Sequence, residues 1–433
     1  MKKAIVFTIA ILFAVSLHAQ EILHLYHGNN VVFEKSVSEI DSIHFWGNVS
    51  VFSYQNDYMT FPTSDVDSIT FSDDSLMSGD EIYITWNGDN ANIVNPFANN
   101  GVSITNNGAK VTVTATSTVQ DIVYHLSGST SDGYLYITPN KRFTLSLEGV
   151  NITNSEGPAI DVLVDKKTTV VLANNSQNYL TDGSANPKKA ALQSKSELIF
   201  NGSGTLTVTG NKRNGIHSDD YVQINSGTIV VSSAVADGIH CDYFILNGGT
   251  LNITASGDGV DGDTGHIEIN NGSVTVNVAT ADAKGLKCDS IITINGGNIT
   301  VNNSGDQSKG IKSGKEMFIN GGTTTVNATG TYVSETTDDG VDLSYCTGIK
   351  TGGNLFITGG GITVVCSSNN AGGKAISSDS SITITGGIIN LTATGACNKY
   401  LVTGSTYDSY ASVCLKSNQD MNISGGTITA TAG

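Results

Sequence analysis

From Ala190 onward a glycine corner returns at a fixed interval, and that interval decides the fold. It reads Asn225-Ser226-Gly227, Asn247-Gly248-Gly249, Asn270-Asn271-Gly272, Asn295-Gly296-Gly297 and Asn320-Gly321-Gly322. It continues as Thr358-Gly359-Gly360, Thr385-Gly386-Gly387 and Ser424-Gly425-Gly426. The spacing is mostly 22–27 residues, with two longer intervals that imply loop insertions. A fixed period of this size signals a solenoid. The composition suits short strands and tight turns, with 49 glycines, 5 prolines and only 14% charged residues in 433.

Each repeat carries three strand signals. Apolar residues alternate before the corner, as in Val222/Ile224 and Ile292/Ile294, and after it, as in Leu251/Ile253 and Ile299/Val301. A third strand carries Ile216, Ile239, Val260, Leu286, Ile311, Ile349, Ile376 and Leu415. Residues of period 2 point one way, here inward. The expected fold is therefore all-β: a right-handed parallel β-helix solenoid, three strands per rung, rungs about 4.8 Å apart. The aligned corner asparagines are placed to bond one another as a ladder. Cys241 and Cys288 share a small inward column with Ser218, Gly262, Ser313 and Thr351. They are two rungs, roughly 9–10 Å, apart, beyond the ~7 Å reach of a disulfide, so buried free thiols are expected. Six cysteines allow 15 pairings.

The start of the chain reads as a leader. Lys2 and Lys3 precede the apolar run Ala4–Val15, and Leu17-His18-Ala19 fits a cleavage site. The run is short for a spanning helix, and no other transmembrane candidate or lipid-anchor cysteine follows. A secreted or cell-surface protein, extracellular or periplasmic, cut near Ala19 is expected. Losing two lysines takes the formal charge from −17 to −19, with 20 basic against 39 acidic residues. Nucleic acid is thereby excluded as a partner. Residues 20–78 form a small N-terminal β region, where Ser38-Glu39-Ile40-Asp41-Ser42-Ile43-His44-Phe45 recurs as Ser64-Asp65-Val66-Asp67-Ser68-Ile69-Thr70-Phe71. This region resembles N-terminal segments of secreted Bacteroidetes proteins and is read as a spacer or cap. The β-helix domain spans 79–433.

A family signature lies at the front of that domain. Phe143-Thr144-Leu145-Ser146-Leu147-Glu148-Gly149-Val150-Asn151-Ile152-Thr153-Asn154 leads into Gly157-Pro158-Ala159-Ile160. Asn178-Tyr179-Leu180-Thr181-Asp182-Gly183, Ala190-Ala191-Leu192-Gln193-Ser194-Lys195, Gly202-Ser203-Gly204-Thr205-Leu206 and Asn214-Gly215-Ile216 follow in order. The set resembles the secreted carbohydrate-binding domain family with a pectate-lyase-like β-helix, over residues 80–433. The resemblance implies polysaccharide binding, particularly of acidic plant polymers, with bound calcium and no established catalysis.

The chemistry-bearing columns flank the third strand. Directly after its inward apolar residue come His217, His240, Asp261, Lys287, Lys312, Lys350, Ser377 and Lys416. The cations His217, His240, Lys287, Lys312, Lys350 and Lys416 are the candidate glycan-binding stripe. A uronate polymer repeats at roughly the rung spacing of ~4.8 Å, so polygalacturonate carboxylates can follow it. The alternative is self-neutralisation by neighbouring aspartates. The densest acidic cluster is Asp237, Asp242, Asp258, Asp261 and Asp263. Stacked carboxylates repel, and calcium, which takes 6–8 oxygen ligands, is the candidate occupant. The alternative is a solvated acidic turn with lysine partners.

Two other classes stay open. A polysaccharide lyase needs a strong base, and of the two arginines, Arg142 and Arg213, only Arg213 lies beside His217 and Asp219 in sequence; it equally fits a surface turn. Asp338-Asp339-Gly340-Val341-Asp342 echoes hydrolase aspartates, but no Gly-His-Gly accompanies it. The outward threonines Thr275, Thr293, Thr300, Thr325, Thr363 and Thr383 suit an adhesin or stalk, although threonine favours strand surfaces anyway. A non-catalytic binding protein is the leading expectation. The sequence stops at Gly433 just after a strand, and an open sheet edge invites pairing, so an oligomer contact there or a fragment of a longer chain is expected.

Overall fold

The computed structural model describes residues 22–27, 30–37, 40–45, 48–53, 58–66, 68–72, 81–117, 119–367 and 372–433. The leader and its cleavage site at 1–19 lie outside the described residues, as do Ser38, Glu39 and Asp67 of the duplicated segment. The chain divides into two compact units, residues 1–80 and 81–433.

The first unit holds two antiparallel three-stranded sheets. Ile22–His27 lies between Asn30–Ser36 and Ser68–Ser72, and Ile40–Phe45, Asn48–Ser53 and Tyr58–Pro62 form a meander. The two copies of the duplicated segment therefore enter different sheets. They share one core all the same: Ile40 and Ile43 from one copy, Val66 and Ile69 from the other, pack on buried Leu23 and Leu25.

The second unit is a parallel β-solenoid. The third strands stack into a 13-stranded sheet from Val102–Asn107 to Val413–Ser417, parallel throughout except for its first antiparallel pair. The strands before and after each corner run rung on rung beside it, for example Phe244 on Ile267 on Ile292 and Leu251 on Val274 on Ile299. Their inward residues are fully buried in one continuous core. Each such side chain contributes about 1.5–3 kcal/mol on burial. At the front, Trp86 is 2% exposed and its indole N–H donates to the Ala109 carbonyl at 2.8 Å.

The corner ladder exists, and it lies on the outside of the turn rather than in the core. Asn225 Nδ2 donates to Asn201 Oδ1 at 3.0 Å, Asn247 to Asn225 at 2.9 Å and Asn270 to Asn247 at 2.9 Å. Asn295 and Asn320 continue it, and Thr358 closes it on Asn320. The last glycine of each corner takes φ between 73° and 92°, a region open chiefly to glycine.

A second glycine column is demanded by packing. Gly215, Gly238, Gly259, Gly285, Gly310 and Gly348 precede the inward residue of the third strand. A Cβ at Gly215 would lie 2.7 Å from Val231 Cγ1 and 2.8 Å from the Gly238 carbonyl. These glycines and the following apolar residues both turn inward, so the residues on either side, such as Lys309 and Lys312, both turn outward.

Candidate functional site

The third sheet places its outward column in strict register. His217 pairs with His240, His240 with Asp261, Asp261 with Lys287, Lys287 with Lys312 and Lys312 with Lys350. Ser377 and Lys416 complete the line. It also runs backward through Gln193 to Asp161, an extension not seen in the sequence. Asp161 is fully buried, with Lys188 Nζ 3.9 Å away, and burial pushes its carboxyl up.

The front half of the line is compensated. His217 points out of the coil yet is only 3% exposed, because Lys189 and Asp219 close over it, with Asp219 Oδ1 2.8 Å from Nε2. It is not the open contact that an outward position implied. Burial lowers its pKa to about 4. Its ring stacks on His240 with centroids 5.2 Å apart. His240 faces Asp237 at 3.0 Å and Asp261 at 3.7 Å, and the Asp237 bond raises its pKa. Lys287 meets Asp261 at 2.8 Å and Asp258 at 3.8 Å. Burial works against the Lys287 charge, but these two carboxylates outweigh it and hold its pKa above the ordinary value.

The five aspartates separate into two groups. Asp237, Asp258 and Asp261 are committed: Asp237 accepts the Asp258 N–H at 2.9 Å, Asp258 the Lys284 N–H at 2.7 Å and Asp261 the Asp263 N–H at 3.0 Å. Burial pushes Asp258 up to about 6. Among the described residues, the groups able to converge on one ion are Asp237, His240 and Asp261, with donor atoms within 4.8 Å of one another. A set containing a ring nitrogen suits calcium poorly, since that ion takes oxygen ligands. Asp242 and Asp263 form the other group. Burial raises the Asp242 pKa, and the Asp263 charge raises it further. Both are half-buried.

The rear half of the line is different. The strands Lys309–Ser313, Thr347–Thr351, Lys374–Ser378 and Val413–Ser417 occupy four consecutive rungs and carry Lys309, Lys312, Lys350, Lys374 and Lys416. Among the described residues, only Lys350 of these five has a carboxylate partner, Asp379. Burial lowers both Lys309 and Lys374 to about 8. The two long repeat intervals are hairpins: Val333–Thr337 with Gly340–Ser344, and Asn398–Thr403 with Thr406–Tyr410. They lie side by side, with Gly340 so close to Val402 that a Cβ there would be 2.5 Å from the Val402 carbonyl. Sequence spacing announced the insertions but not their meeting.

The remaining candidates are scattered. Arg213 is exposed, and the ion pairs of Asp219 go to Lys189 and His217 instead. Asp338 and Asp339 sit exposed at a hairpin tip. Thr275, Thr300, Thr325 and Thr363 do align. The neighbouring column Thr293–Phe318–Phe356–Thr383 carries two stacked half-buried rings, 5.0 Å apart. Cys241 and Cys288 are buried free thiols, and burial pushes both up.

Comparison with known proteins gives three findings. A family model described as carbohydrate-binding domain-containing protein matches residues 107–349. A relative from Acetivibrio thermocellus, described in the same words, is 32% identical over 146 residues, covering 31% of this chain and 50% of the relative. The chain thus spans about half the length of that relative, whose source gives no support to a Bacteroidetes origin. A solved structure described as a polysaccharide lyase-like protein from C. thermocellum, as a gadolinium derivative, is 24% identical with a TM-score of 0.46. It covers 53% of this chain and 93% of its own.

Proposed function

The chain belongs to the carbohydrate-binding domain-containing protein family, and from that premise we propose that it is a non-catalytic binder of acidic, uronate-containing polysaccharides. The observation that carries the proposal is the outward cationic column of the third sheet, in register over consecutive rungs. A polymer of matching repeat meets one cation per rung there, and several weak contacts add up along its length. Affinity electrophoresis in polygalacturonate tests this. The double variant Lys287→Ala/Lys312→Ala should migrate faster than the parent through the charged gel; equal retardation sinks the stripe. Because Asp261 already engages Lys287, most of the loss should come from Lys312.

Calcium belongs to the same proposal. Its best place is the Asp242/Asp263 pair, where it offsets like charge and leaves coordination positions for a sugar carboxylate. Calorimetric titration with calcium should give heat in the parent and none in Asp242→Asn/Asp263→Asn. Absence of catalysis is tested by incubating the protein with polygalacturonate and following absorbance and reducing ends. Secretion, with a mature chain beginning at Gln20, is proposed from the leader-like start and is read by N-terminal sequencing of exported protein. Self-association is tested by sedimentation of the full chain, where a mass above the monomer supports it.

A further inference from the structure

We propose that the two paired hairpins and the lysines beneath them form a subsite for one acidic sugar unit of a polysaccharide, bearing a carboxylate or a sulfate. The proposal rests on the polysaccharide-binding reading above and gives it a location.

Rings from both insertions converge. Tyr332 and Tyr410 have centroids 5.4 Å apart, and Tyr400 lies 6.5 Å from Tyr410. Tyr345 ends the first hairpin, and Lys374, from the next rung, holds its ammonium 3.8 Å from the centre of that ring. Lys309 reaches the same hairpin from the rung before, donating to Ser344 Oγ at 3.2 Å. Lys350 and Lys416 are the cationic neighbours of Lys374. The acidic groups that act on these lysines and on Tyr345 include Asp342, Asp379, Asp408 and Asp282, while Glu335, Asp338 and Asp339 sit exposed on the first hairpin and Asp342 accepts the Leu343 N–H at 2.8 Å. Asp379 is taken by Lys350, Asp282 by Lys284, and Asp408 accepts from the Tyr400 hydroxyl at 3.2 Å.

The chemistry points to an anionic, partly apolar guest. A half-buried ammonium with no carboxylate partner is costly, and here two are kept, Lys309 and Lys374. Burial has already weakened their hold on the proton. An anion supplies the missing counter-charge. In a chain of formal charge −17, five lysines over four rungs concentrate positive charge that draws an anion in. The tyrosines offer flat apolar faces with hydroxyl edges, which suits a sugar ring. A simple inorganic anion would use the lysines and leave the rings idle.

Calorimetry on the full chain tests the subsite with three probes: a polygalacturonate oligosaccharide, a heparin-type sulfated oligosaccharide and a fully methyl-esterified polygalacturonate. The parent should bind one or both acidic probes and not the ester; the acidic probe preferred tells carboxylate from sulfate. Lys374→Met/Lys416→Met should weaken acidic-probe affinity about tenfold or more, as expected for losing charge-assisted contacts. Tyr345→Ala should lose a similar factor, and Tyr345→Phe should keep affinity within about twofold, because stacking needs the ring alone. The lysine variants keep the test valid if Tyr345→Ala does not fold. A parent that binds neither acidic probe overturns the polysaccharide reading and the subsite together. A parent that binds while a folded Lys374→Met/Lys416→Met matches it overturns the subsite alone. Equal affinity for the ester overturns the acidic preference.

Discussion

Two stretches of one sheet share a backbone and differ in chemistry. From Asn214 to Asp289 the outward basic side chains are matched: His217 by Asp219, His240 by Asp237, Lys287 by Asp261. From Lys309 to Ser417 the outward cations are lysines, of which among the described residues only Lys350 has a carboxylate partner, and two hairpins stand over them. Strand register fixes only where a side chain emerges. The bends and loops between strands fix what it meets. In the front half short acidic bends put an aspartate beside each cation. In the rear half the connections grew into tyrosine-bearing hairpins, and the lysines were left for another partner.

The largest expected effect contrasts two aspartates. Asp261 is 6% exposed and neutralises Lys287. Asp261→Asn should cost about 3 kcal/mol, because a half-buried ammonium loses its nearer counter-ion and keeps only Asp258 at 3.8 Å. Asp379→Asn, which removes the more exposed partner of Lys350, should cost less than about 1 kcal/mol. Urea denaturation of the two variants measures the difference, and equal losses would erase the contrast.

The next effect is the pH response of the front half. His217 titrates near 6.5 when unfolded and at about 4 when folded, so folding favours its neutral form. The stability this gives is complete above about pH 6.5 and is lost as pH falls toward about 4. His217→Phe should flatten that slope, by up to about 3 kcal/mol over the window. His240 has the opposite sign: its folded pKa is raised, so its contribution is full below about pH 6.5 and is lost as pH rises through the folded value. Thermal melts from pH 4 to 8 on single variants separate these stacked neighbours.

A smaller effect has the reverse sign. Lys374→Met should stabilise the unliganded protein by about 1 kcal/mol at pH 7, since relief from desolvation exceeds the lost ring contact. The parent should gain part of this as pH rises through about 8, where Lys374 sheds its proton. A variant that is more stable yet binds acidic sugar less well is the behaviour of a functional lysine. An effect of similar size is a benchmark at the corners, away from the third sheet. Asn270→Ala should cost about 1 kcal/mol through two ladder bonds.

Much of the scaffold was legible because a short repeat prints each position many times. The corner glycines, the isoleucine columns and the order His217, His240, Asp261, Lys287, Lys312, Lys350 follow from period and alternation. The glycine column at Gly215 and its successors was visible as letters. Its cause, the approach of Val231 and the next rung's carbonyl, needed coordinates. The cover over His217 was not legible, since Lys189 comes from the preceding turn. Nor was the meeting of the hairpins, because Gly340 and Val402 touch through non-periodic insertions. The five aspartates looked like one cluster. Alternation decides inward against outward, but it does not say which carboxylate accepts a backbone N–H and which is left to face its neighbour.

The ladder also sets how its own corners age. Asn247, Asn295 and Asn320 each precede a glycine, the pairing in which a backbone nitrogen most readily attacks the side-chain carbonyl and expels ammonia. The ladder binds each of those amides to its neighbours, away from the pose that attack requires. Once one amide is converted, its nitrogen donor is gone and a carboxylate, which only accepts, faces the oxygen of the rung before. That corner loses its bond and gains repulsion, and the glycines on either side are freed to move. At these three corners the clock therefore starts where a rung opens, and each corner that ages loosens the next.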